Sequence, residues 1–152
     1  MSNDSSPAAA AAGATPRHLW IVAVLALLWN SGGAFDYLMT QTRNASYMSA
    51  FTPEQLSYFY GFPRWVVACW ALSVWGGVLG SLLLLLRRRL AVPVFAVSLL
   101  TALATFFYNY VLTRGIEIMG GVGAAVFSAV ILAVALTLLV YARRLAAQRV
   151  LR

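Results

Sequence analysis

Asp36 is the residue of this chain best placed to do chemistry, because it falls within about one turn of the end of an apolar run, Leu19 to Met39, where a carboxylate loses water unless it is paired or lies in a wet cavity. The basic groups at matching depth are Arg64 and Arg114, with Arg43 just beyond the run. An ion pair from Asp36 to Arg64 or Arg114 would satisfy both charges and staple two helices together. An unpaired Asp36 would instead mark a polar site for a ligand. Asn30, Tyr37, Asn109 and Glu117 stand at similar depth and would complete an outward-facing polar cluster with Asp36 and the two arginines. On a helix, Trp29, Gly32, Gly33 and Asp36 share one stripe, whereas Asn30 lies about 120° from Asp36, so the two polar groups need not face one cavity.

The other reactive groups do not converge. His18 is the one histidine and Cys69 the one cysteine, so no disulfide can close within the chain. No metal-ligand cluster and no Ser-His-Asp set can be assembled from these residues, and no phosphate-cradling glycine loop is present. The expectation is a protein without catalytic residues, metal or cofactor.

The elements that must position Asp36 are four apolar runs, Leu19 to Met39, Trp65 to Leu86, Leu90 to Leu112 and Gly121 to Tyr141, of about 21 to 23 residues each, enough to cross a ~30 Å hydrocarbon layer. With 62% hydrophobic residues and a mean hydropathy of +0.80, the 152-residue chain has no room for a second, soluble domain. The expected fold is all-α: a transmembrane four-helix bundle over residues 17–144, preceded by a disordered cytoplasmic tail over 1–16 and followed by a basic cytoplasmic tail over 145–152. Of the eleven basic residues, Arg17, Arg87, Arg88, Arg89, Arg143, Arg144, Arg149 and Arg152 fall on one side of the four spans, and Arg43, Arg64 and Arg114 on the other. The positive-inside rule assigns the richer side to the cytoplasm, so both termini are expected inside. Arg17 followed by Leu19 to Leu28 also has the outline of a secretory signal, but the apolar character resumes through Ala34 to Met39 and makes a retained span the better expectation. The net charge of +7 comes from arginines at the span ends, with no lysine, which suits anionic lipid headgroups rather than nucleic acid.

The first outer connection, Thr40 to Arg64, carries its own local code. Thr52-Pro53-Glu54-Gln55 is a capping box with proline at the first helical position, predicting a short helix from Pro53 to about Tyr60. Its rings, with Tyr47, Phe51, Phe62 and Trp65, suit a helix lying flat at the headgroup level as an anchor, with a ligand-binding lid as the alternative. Small residues recur at fourfold spacing as Gly76 and Gly80 in the second run and Gly121, Ala125, Ala129 and Ala133 in the fourth, marking close helix-packing seams, with each other or with a second copy. Asp36-Tyr37-Leu38-Met39-Thr40 also lies over Asn109-Tyr110-Val111-Leu112-Thr113 as a possible duplicated segment. The partners expected are the lipid bilayer, a small-molecule ligand, and a homo-oligomer or larger membrane assembly.

In Trp29-Asn30-Ser31-Gly32-Gly33-Ala34-Phe35-Asp36-Tyr37, Phe51-Thr52-Pro53-Glu54-Gln55-Leu56 and Trp75-Gly76-Gly77-Val78-Leu79-Gly80, the chain resembles a group of small four-span bacterial inner-membrane proteins, some of which carry a sugar-transporter label. The resemblance spans residues 19 to 142. It implies a multi-pass inner-membrane location and brings no catalytic residues with it. The residues themselves point to small-molecule binding or transport at the Asp36 cluster, with a structural or regulatory subunit, working through the small-residue rows, as the alternative.

Overall fold

The computed structural model describes residues 15–152. It contains four helices long and apolar enough to cross a membrane: Arg17–Gln41 (α1), Arg64–Leu85 (α4), Ala91–Leu112 and Val122–Ala147 (α7). The third of these is α-helical over Ala91–Phe107 (α5) and closes with a π-helical turn over Tyr108–Leu112. Three short helices fill the connections: Ala45–Met48 (α2), Pro53–Tyr60 (α3) and Gly115–Ile118 (α6). The chain is thus an all-α, multi-pass membrane protein. Large apolar side chains such as Leu28, Leu86 and Leu100 are about two-thirds exposed, which suits lipid as the surrounding solvent.

The spans start and stop where the backbone is instructed to. Pro16 and Pro63 immediately precede α1 and α4. α1, α4 and α7 each end in the same paired-bond cap, in which the amide two residues past the C-cap reaches back over the last turn: Asn44 to Met39, Arg88 to Leu83 and Val150 to Leu145. The left-handed position of each cap is filled by an arginine, Arg43, Arg87 and Arg149, rather than by glycine.

Helix α4 packs against both α1 and α5, and α5 packs in turn against α7. Gly80 admits the ring of Phe95, since a Cβ there would lie 2.7 Å from it. Gly76 admits Ser98 at 3.1 Å, and Gly77 admits Asn30, whose Oδ1 would be 2.1 Å from an added Cβ. The glycine row of α4 therefore receives α5 and α1. It does not meet the α7 row: Ala129 and Ala133 are exposed, Ala125 is half-buried, and nothing lies within 4 Å of a Cβ placed at Gly121. Interhelical hydrogen bonds add to the contacts, from Asn30 Nδ2 to Ser81 Oγ (3.2 Å) and from Ser98 Oγ to the Ser73 carbonyl (2.7 Å).

The core lies at the end that carries the C-terminus, built from Leu19, Ala23 and Ala26 of α1, Leu84 of α4, Phe95 of α5, and Leu138, Ala142 and Leu145 of α7. His18 hydrogen-bonds Tyr141 there (2.6 Å), joining α1 to α7. The expected basic tail over 145–152 is not free. α7 runs on to Ala147, Leu151 is buried in the core, and the main chain of Arg152 bonds both Arg87 and Arg89 at 2.7 and 2.8 Å. The expected tail over 1–16 lies, apart from Thr15 and Pro16, outside the described residues.

Candidate functional site

Toward the loop end, the helices that converge on the core draw apart around a cavity of about 650 Å³. Ser98, Val134 and Ala135 line it toward the core, and Asp36, Tyr47 and Phe51 line it toward the first loop. All four spans contribute to the wall, and the first loop contributes the rings of Phe51, Phe59 and Phe62. Trp29 of α1 and Phe127 of α7 approach across the cavity with centroids 6.4 Å apart.

Asp36 lines this cavity without an ion pair among the described residues. Its Oδ1 accepts a 2.6 Å hydrogen bond from the Tyr47 hydroxyl. The expected pairing with Arg64 or Arg114 is not made, for reasons that follow from where each arginine is held. Arg64 opens α4 at the exposed rim. Arg114 forms an ion pair with Glu117 three residues on, both largely exposed. Arg43, in its left-handed cap, lies over the Tyr60 ring at 4.4 Å. The same cap delivers Tyr47. Arg43 reverses the chain, Asn44 Oδ1 accepts the Tyr47 amide (3.0 Å) to start α2, and the phenol turns back onto α1. The hydrogen bond to Asp36, then burial, then the carboxylate's charge push the Tyr47 phenol up to about 12.

Asn109 stands across the cavity from Asp36 on the π-helical turn. Its Nδ2 donates to the Thr105 carbonyl (2.8 Å), and its Oδ1 accepts the Tyr58 hydroxyl of α3 (2.9 Å). Tyr58 also meets the Thr113 hydroxyl at 2.6 Å, and burial raises its pKa. Gly115 allows this closure, because a Cβ there would lie 2.1 Å from the Asn109 carbonyl oxygen and 2.9 Å from the Tyr58 hydroxyl. Gln55, the capping-box residue of α3, sends its Nε2 to the Ile118 carbonyl (3.1 Å). The short helix expected at Pro53 is present with its complete capping box. Its Phe59 ring lines the cavity and its Tyr58 is tied to the bundle, so these two rings serve the site rather than outward anchoring.

Of the residues singled out from sequence, Asp36, Asn30 and Asn109 share the cavity. Tyr37 does not line it, and packs edge-on against Trp70 at 5.1 Å. Arg64, Arg114 and Glu117 lie outside it. Tyr47, Trp70, Phe106 and Ser128 line the wall and were not assigned to the site from sequence. Comparison with protein-family models, curated proteins and solved structures finds no match. The Asp36 and Asn109 segments differ in backbone, α-helical in one and π-helical in the other, yet each places its polar residue on the cavity wall under a phenol from the first loop.

Proposed function

We propose that this is a non-enzymatic multi-pass protein of a bacterial inner membrane that binds a small molecule in the loop-end cavity and takes part in its movement across the bilayer. The observation that carries this reading is Asp36: a carboxylate on the wall of an open cavity with no arginine partner. Placing a lone charge at membrane depth is costly and is retained where a site needs it. The cavity wall has no histidine, cysteine, lysine or arginine to join Asp36 in acid-base or nucleophilic chemistry, which supports binding over catalysis. The arginine distribution supports an orientation with both termini in the cytoplasm and the loop-end cavity nearer the periplasmic side. The test is Asp36→Asn in cells and in purified protein: solute binding or uptake is abolished while the helical content and elution profile stay unchanged. Wild-type behaviour in this variant refutes the reading.

A second reading is favoured by the uncovered row on α7. Ala129 and Ala133 face outward on a helix whose inner side already meets α5. That surface supports a homo-oligomer or a structural role in a larger assembly. Ala129→Leu separates the two readings, since it disturbs assembly in this second case and leaves a within-chain binding site intact.

A further inference from the structure

The geometry points to a small organic monocation, a protonated amine or quaternary ammonium on an apolar body, as the occupant of the loop-end cavity; this rests on the cavity being a binding site, as proposed above. Among the described residues, Asp36 is the one charged side chain along the wall. Tyr47 takes only its Oδ1, and the second carboxylate oxygen has no hydrogen-bond partner among the described residues. Trp29, Phe59, Phe62, Trp70, Phe106 and Phe127 supply aromatic surface around the same space. Ring faces are electron-rich and attract a cation, most strongly when both are shielded from water.

Competing classes of occupant fit less well. A neutral polyol needs many donors and acceptors, yet most polar groups of the wall are already engaged within the protein. Ser98 Oγ donates to the Ser73 carbonyl, Thr105 Oγ1 to the Thr101 carbonyl, and Tyr110 and Ser128 share a hydrogen bond at 2.7 Å. An anion meets a carboxylate and ring faces, all of the wrong sign. A hard dication wants a shell of several oxygen ligands, and the wall offers one carboxylate. A volume of about 650 Å³ lies within the range of pockets for compact organic ligands, and its apolar share suits the body of an amphiphilic cation.

The test is calorimetric titration of the full chain in micelles with benzyltrimethylammonium, with neopentylbenzene as its neutral isostere, and with methyl glucoside. The ammonium binds wild-type protein, Asp36→Asn weakens it about tenfold to a hundredfold, and the isostere binds equally weakly to both. Asp36→Glu retains ammonium binding. If Asp36→Asn fails to fold, Trp70→Leu decides the matter by weakening the ammonium more than the isostere. Equal binding of ammonium and isostere, or an ammonium affinity that Asp36→Asn leaves unchanged, overturns charge selection while leaving a binding cavity. Glucoside binding without ammonium binding does the same. Failure of all three probes on folded wild-type protein overturns both this proposal and the reading beneath it.

Discussion

Asp36 and Tyr47 form a pair whose members report on each other. The phenol is held near 12, above its ordinary 10.0, first by the hydrogen bond to the carboxylate. A raised folded-state pKa means that the contact's contribution to stability is complete below pH 10 and is lost as the pH rises from 10 toward about 12. In Asp36→Asn the Tyr47 phenol falls back toward 10, which the phenolate absorbance difference against Tyr47→Phe measures directly. Gly77 offers a second check at this scale. Alanine there drives its Cβ into Asn30, displaces the Asn30–Ser81 bond and costs about 1 to 3 kcal/mol in micellar unfolding experiments. Asp36 was legible in the sequence because a charge inside an apolar run stands out. Its partner was not, because a search by opposite charge finds arginines, whereas the partner is a neutral phenol eleven residues on, brought back by a reversal at Arg43 and Asn44.

The helices themselves were readable from hydropathy, and the differences at their ends have physical causes. α7 continues six residues past Tyr141 through Arg143 and Arg144, because a helix does not stop where its apolar stretch does and long basic side chains extend to the headgroups. The π-helical turn at Tyr108–Leu112 left no signature in composition. The capping box at Thr52 did, and Thr52→Ala is expected to destabilise α3 by about 1 kcal/mol, seen as faster proteolysis of the first loop. The arginine-filled caps give a sharper comparison. Arg149 and Arg87 both have positive φ, at 58° and 55°, a conformation that costs a side chain about 1 kcal/mol relative to glycine. Arg149→Gly therefore raises thermal stability by about that amount. Arg87→Gly gains less, because the Arg87 guanidinium also bonds the Val150 carbonyl through Nε and an Nη at 3.3 and 3.2 Å.

At the scale of the molecule, four helices gather at one end and part at the other. The gathered end includes the last residues of the chain, with Leu151 enclosed and Arg152 hydrogen-bonded to the Arg87–Arg89 turn. Deleting residues 149–152 is expected to cost about 2 kcal/mol from the exposed leucine pocket alone and to lower the melting temperature. Sequence could place those residues on one side of the membrane, but docking of a short basic segment depends on a hole left by neighbouring helices, which no local pattern records. The parted end is bridged by the first loop, which is hydrogen-bonded to the rest of the molecule at three points: Tyr47 to α1 through Asp36, Tyr58 to the end of the third span through Asn109 and Thr113, and Gln55 to the Ile118 carbonyl of α6. The fastenings are unequal in kind. One depends on a charge that an arriving cation would share, and the others on neutral groups indifferent to it. A cation seated on the free carboxylate oxygen would therefore weaken the loop's hold at Tyr47 alone and leave Tyr58 and Gln55 as they stand.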